Sequence, residues 1–408
     1  MNSHLQKITS SERNRLGRGA FTLVELMVSV SILVILMLVV SSFVNLVQRT
    51  WVRTNSNISQ FREARLAFDA MTRTISQSTL NTYWQSAQSI SRQQGNNMGT
   101  ILKGTSYRRQ SELQFSCGPT VGGATALFST GTAANYPGHG VFFQAPLGVT
   151  GLISPAAGGS AVIADTQNMV NLLCGRGFFV AWGDDASFRP QFLNTRNVPK
   201  RTRFRLMEFS PTAEKNPIYS DDYRLTYSED GRTVENSRLW FRNATDSSGG
   251  TSAAIQQNTT SQNEDASNRE FTRPIAENIL ALVISPRLAK VGRNETQTYK
   301  IAPDYSFDSS SLGAVGAGDD DFGPQGTQHL LPPLLQVTMV ALDSRGGERI
   351  SFDAQLQSQV VQMVTSRFSS AARYAADLQA LESDLIQKRL AYRVFTSSIS
   401  LRQSRWSK

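Results

Sequence analysis

Residues 13–51 read RNRLGRGAFTLVELMVSVSILVILMLVVSSFVNLVQRTW, and this stretch decides what kind of chain this is. A basic run closes at Arg18, the small pair Gly19-Ala20 follows, and an apolar region opens at Phe21. Leu26 to Val44 is 19 residues without a formal charge. At ~1.5 Å rise per residue that run makes a helix of about 28 Å, enough to cross the hydrocarbon core of a bilayer. Basic residues before it and a large polar region after it set the N-terminus in the cytoplasm by the positive-inside rule. Nothing else in the sequence is apolar over such a length, so a single-pass anchor is predicted.

A conventional secretory signal carries its small-residue cleavage site after the apolar region. Here the small pair precedes it, so a cut at that point would leave the apolar helix on the mature protein as its N-terminus. Glu25 sharpens this reading. An ionisable residue at the start of a membrane helix is costly and marks a functional position. A carboxylate four residues after a new α-amino group could pair with that ammonium or a neighbour's, cancelling two charges that are expensive at low dielectric. The plainer alternative is a side chain that simply reaches the headgroups. Between Phe21 and Trp51 there is no Gly or Pro, so the helix should run unbroken.

The string GAFTLVEL resembles the leader junction of type IV pilins and of type II secretion pseudopilins. That resemblance implies a prepilin peptidase as partner, cutting between Ala20 and Phe21 and methylating the new amine of Phe21. Glu25 then stands fifth in the mature chain, available for charge pairing during assembly. A cut after Gly19 would make it sixth, which favours the cut after Ala20. The departure from the family is Ala20 itself, where glycine is usual.

Beyond the apolar run, Trp51, Ile58, Phe61, Ala64, Phe68, Met71 and Ile75 keep the 3.6-residue period of an amphipathic helix. The stripe reads as a face packed on a sheet, with a partner's groove as the alternative. After Thr79 the text breaks into short strand-like runs: 111–117, 140–144, 177–183, 203–209, 223–228 and 237–243, then longer ones at 278–285 and 334–343. Gly346-Gly347 suits a hairpin turn. Residues 245–268 and 304–328 read as mobile polar loops. Ser370–Leu390 returns to helical spacing, and the tail from Ala391 reads as a closing strand, or else a docking tail for another subunit.

The architecture predicted is α+β: a long transmembrane and amphipathic helix packed on a mainly antiparallel sheet domain. Its parts are a leader (1–20), a membrane helix (21–47), an amphipathic continuation (48–80) and an extracytoplasmic domain (81–408). The helix run FREARLAFDAMTRTISQS, residues 61–78, followed by a mixed sheet domain, is similar to the J-type minor pseudopilins. RFRLMEF, the run from Pro333 and the ending RVFTSSISLRQSRWS resemble the Verru_Chthon cassette protein C family of pilin-like proteins. Both imply other pilin or pseudopilin subunits as partners, with the domain periplasmic or extracellular and the anchor in the bacterial inner membrane.

The formal charge of +9 falls to +6 when the leader, net +3, is removed. The cations are spread out, so they read as a solvated surface rather than a nucleic-acid patch. The cysteines, Cys117 and Cys174, could form one disulfide outside the cytoplasm, or be two small buried residues. His139 and His329 lack metal-ligand spacing. Asp184-Asp185, Asp221-Asp222 and Asp319-Asp320-Asp321 are carboxylate clusters, the last a weak Ca²⁺ candidate that fits no EF-hand. Asn243-Ala244-Thr245 matches a glycosylation sequon. No GxSxG, HExxH, P-loop or dinucleotide motif stands in a suitable setting, and no cofactor is expected. Two classes remain: a structural filament subunit, or a signal-anchored periplasmic enzyme or binding module.

Overall fold

The computed structural model describes residues 22–91, 101–149, 171–211, 239–244, 271–289, 295–313 and 325–404, apart from 124, 129, 130, 187 and 188, together with 213, 216 and 218. The expected strand at 223–228, the loop at 245–268 and the aspartates 319–321 lie outside these residues, as do Ala20 and Phe21. The chain divides into two compact units, one up to Ser56 and one from Asn57 onward.

Helix α1 spans Leu23–Ile75. The strands that follow are β1 (Tyr83–Ser91), β2 (Ile101–Gln110), β3 (Ser116–Pro119), β4 (His139–Pro146), β5 (Leu173–Gly183) and β6 (Arg203–Phe209), with short α2 (Gln191–Thr195) before β6. Then come β7 (Thr272–Glu277), β8 (Ile279–Arg287), α3 (Glu295–Thr298), β9 (Phe307–Asp308) and β10 (Leu334–Leu342). Helices α4 (Ser344–Phe352), α5 (Ala354–Thr365) and α6 (Tyr374–Gln387) precede β11 (Tyr392–Ser400).

Six strands form one sheet in the order β7-β6-β5-β4-β3-β9, three form another in the order β11-β10-β8, and β1-β2 is a separate hairpin. Every strand pairing among the described residues is antiparallel. The α+β reading therefore holds. The chain passes from one sheet to the other at buried Asn278, whose φ of 57° is tolerated by Asn far better than by β-branched residues. Its Nδ2 donates to Gln60 Oε1 at 3.1 Å, and its carbonyl accepts from Leu342 N at 2.8 Å, so one corner ties α1 to both sheets.

The six-stranded sheet is buried on both faces, which explains strands that are almost continuously apolar. Along β4, Val141, Phe143 and Ala145 enter one core, shared with Ala64, Ala67, Phe68, Met71 and Ile75 of α1 and with α5 and α6. Phe142 points the other way, into a second core with Phe128, Phe179, Phe209, Trp240 and Phe241. The predicted stripe on α1 thus faces the core from Phe61 onward. Trp51 (74%) and Ile58 (61%) are exposed.

Several local expectations need correcting. Gly346-Gly347 makes no hairpin: it lies inside α4, capped by Asp343, whose Oδ1 accepts from Gly346 N at 2.8 Å. Glycine is needed there for room, since a Cβ on Gly347 would stand 2.0 Å from Asn278 Oδ1. Of the expected strand at 237–243, the described residues, from 239 on, form no strand. Leu239–Ala244 is a 3-10 turn that buries adjacent Trp240 and Phe241 together, which alternation on a strand would prevent. Of 111–117, only the end joins β3. Upstream amides use side chains: Leu113 N donates to Ser111 Oγ, Gln114 N to Gln144 Oε1, and Phe115 N to Ser309 Oγ. The stretch 304–328 is not a free loop where it is described. Tyr305, Asp308, Ser309, Thr327 and Gln328 are buried, and β9 pairs with β3. The closing strand is as expected, β11 pairing with β10 along its whole length.

Candidate functional site

Thr22 begins the N-terminal helix. Its carbonyl accepts from Leu26 N at 3.1 Å and its Oγ1 accepts from Glu25 N at 3.3 Å. Thr22 is therefore the N-cap, and Thr-Leu-Val-Glu has the spacing of a capping box with Glu25 at its third helical position. The sequence reading missed this second reason for the carboxylate. An acid in the first turn also complements the positive end of the helix dipole. The same residue thus serves helix initiation and leaves an anion at the end of the helix where a processed amine would lie.

From Leu23 to Val52 every large apolar side chain is exposed, from 45% at Val44 to 76% at Leu23. This is apolar surface around the full circumference of a helix, which in water would be far beyond what a folded monomer exposes. A bilayer or other apolar helices must cover it. Three hydroxyls within the run are satisfied locally: Ser29, Ser31 and Ser42 donate to the carbonyls of Leu26, Met27 and Val39 at 3.0, 2.8 and 2.8 Å. Such back-bonding lets hydroxyls sit in hydrocarbon without an unmet donor. The segment is a membrane anchor.

The other singled-out residues do not converge. Cys117 pairs with Val141 on β4 and Cys174 with Ala145. They are two strands apart and offset by four residues along β4, roughly 10 Å across and 14 Å along. That is well beyond the ~7 Å Cα limit for a disulfide. Both are free and buried, so the disulfide expectation is corrected in favour of two small buried residues. Burial, then the nearby Asp308 and Asp304, raises the Cys117 thiol well above its ordinary pKa. The folded protein should therefore resist alkylation and yield both thiols on unfolding without reductant. An unreduced mass lower by two hydrogens would contradict this.

Asp184 and Asp185 serve a turn. Asp184 faces Lys200 at 3.5 Å, and Asp185 Oδ1 accepts from Arg201 N at 3.0 Å while facing Arg189 at 3.6 Å. His139 and His329 are buried at separate places, the first against Tyr305 (ring centroids 4.8 Å) and the second in the turn before β10.

A family model described as the prokaryotic N-terminal methylation motif matches residues 15–41. The match covers the leader junction and most of the apolar run, and it stops before the sheet domain. Comparison with curated proteins and with solved structures returns no match. The chain thus carries a prepilin-type leader ahead of a membrane-anchoring helix, and a pilin-like arrangement of helix and antiparallel sheet follows.

Proposed function

We propose that this chain is a non-enzymatic minor pilin or pseudopilin of a type IV pilus or type II secretion-like filament. The observation that carries the proposal is the methylation motif over 15–41 set directly on a capped helix whose apolar surface is wholly uncovered. Prepilin peptidase cuts between Ala20 and Phe21 and methylates Phe21. The mature chain then begins one residue before its own N-cap, Thr22, so ammonium and Glu25 carboxylate lie at the same end of one helix. In an assembly of parallel helices that end can meet the same end of a neighbour, and pairing there offsets two desolvated charges. The anchor is in the bacterial inner membrane and the sheet domain lies on its outer side.

Intact-mass measurement on the membrane-purified protein tests processing. The expected mass lacks residues 1–20 and carries one added methyl. Met1 retained in cells with active prepilin peptidase would leave a signal-anchored module and end the proposal. Assembly has its own test. Glu25→Ala should insert in the membrane as the parent does, because it removes a charge from an apolar run. Its recovery with other pilin-like subunits after crosslinking should fall at least tenfold. Unchanged recovery would mean that Glu25 serves only the helix start.

A further inference from the structure

We propose that the end of the domain at which residues 57–60 enter is a docking surface for anionic phospholipid headgroups. The inference rests on the membrane anchoring above and not on filament assembly.

That end is one connected piece of structure. Gln60 Nε2 donates to the carbonyl of Glu277, beside Asn278. Asp343 N donates to Ala391 O, and Arg349 Nη1 to the carbonyls of Lys388 and Arg389, joining the start of α4 to the start of β11. Arg203 Nη1 donates to Ser351 Oγ, and Arg205 to the carbonyls of Gly183, Asp184 and Arg201. The ends of β5, β7 and β10, the start of β6 and all of α4 therefore share one pole with the entry of α1.

Cations outnumber carboxylates left without a cation on this pole. Asp184 faces Lys200, Glu348 faces Arg203, and Asp353 caps Gln355 N and Leu356 N, while exposed Glu63 of α1 lies beside Glu277. Arg196, Arg201, Arg345 and Arg389 are exposed and have no ion-pair partner among the described residues. Helix α4 concentrates the pattern. Gly347 and Ile350 face the core, while Arg345, Arg349 and Phe352 stand at i, i+4 and i+7 on the outer face. Phe352 is 90% exposed, and Phe192 nearby in sequence to Arg196 is 60% exposed. Arg345 occupies the first turn of α4, where the helix dipole disfavours a cation. Cations beside an uncovered aromatic ring are the composition of an interfacial helix, which sinks the ring between headgroups while Arg meets phosphate.

Chain length keeps a bilayer within reach. Residues 48–56 separate the apolar run from Asn57, and this tether spans at most about 30 Å fully extended and about 14 Å as helix. The pole that begins at Asn57 is thus confined near the membrane surface, whatever path the tether takes.

The test uses the full-length chain in nanodiscs of phosphatidylglycerol with phosphatidylcholine, or of phosphatidylcholine alone. A nitroxide is placed by Phe352→Cys, with Arg402→Cys as a control near Thr79 and Gln403. The native thiols are buried and stay unlabelled. In anionic discs at low salt the label at 352 should be shielded from a water-soluble nickel relaxant and open to oxygen, while the label at 402 stays aqueous. About 0.5 M salt, where the Debye length is roughly 4 Å, should release it. Arg201→Glu with Arg345→Glu should lower the docked-to-free ratio by about 25-fold or more, at about fivefold per cation. An aqueous label at 352 in both discs would overturn the proposal. So would shielding that persists in neutral discs and high salt, since that pattern marks an apolar protein contact such as a second copy. The comparison of discs needs no charge variant, so a misfolded double variant leaves the test intact.

Discussion

Gly177→Ala is expected to destabilise the sheet domain by about 3 kcal/mol, although it adds a single methyl. Gly177 on β5 sits opposite Phe142 on β4, and a Cβ there would lie 2.2 Å from both Cδ1 and Cε1 of the Phe142 ring. The ring cannot retreat. It stacks on Phe241 at 4.2 Å between centroids with planes 8° apart, and meets Phe128, Phe179, Phe209 and Trp240 edge-on or stacked at 5.7 to 6.3 Å. The glycine is therefore the space that an aromatic ring fills across the strand pair. Phe142→Ala should cost about 3–5 kcal/mol through the cavity it leaves. In that background Gly177→Ala should cost under about 1 kcal/mol, because its clash partner is gone. Denaturant midpoints of the four variants in detergent form the cycle. Additive effects would show that the second core is not organised around this ring.

The domain should also lose stability in mild acid through its two buried histidines. Burial holds the His139 ring down to about 4, against a smaller opposing pull from the carbonyls of Ile284 and Phe368. Its Nδ1 accepts from Ile284 N at 3.1 Å. His329 is likewise lowered to about 4, by burial first and by the Arg109 charge second. Because the folded values are depressed, the unfolded chain binds more protons between about 4 and about 6.5. Stability from this source is complete above about 6.5 and is lost as pH falls toward 4. At ~1.4 kcal/mol per pH unit the full loss is on the order of 3 kcal/mol for each ring. Urea midpoints at pH 7 and pH 4.5 should differ, and His329→Asn should flatten the dependence; Asn suits the φ of 59° at that position. Carboxylate titration is common to both proteins and cancels in the difference. Equal pH dependence with and without His329 would refute its part.

How much was legible depended on how local the signal was. The α1 stripe from Phe61 to Ile75 could be read because periodicity of 3.6 needs only neighbours in sequence. The runs that became β4, β5, β6, β8 and β10 were legible as β-branched and aromatic stretches. Trp240-Phe241 had equal strand propensity and became a 3-10 turn, since both rings had to enter one core. Gly346-Gly347 looked like a turn because nothing in the sequence announced that Asn278, far upstream, would press against it.

Membrane anchoring belongs wholly to the sequence. A charge-free run long enough for a bilayer, with cations ahead of it and Glu25 at its start, fixes the solvent of that helix whatever the remainder does. Tertiary structure alone decided that the cysteines stand apart, that the six-stranded sheet has a core on each face, and that arginines at the start of β6 and on α4, far apart in sequence, share one pole. Those outcomes depend on strand order and register, which arise from pairings between residues far apart in the chain.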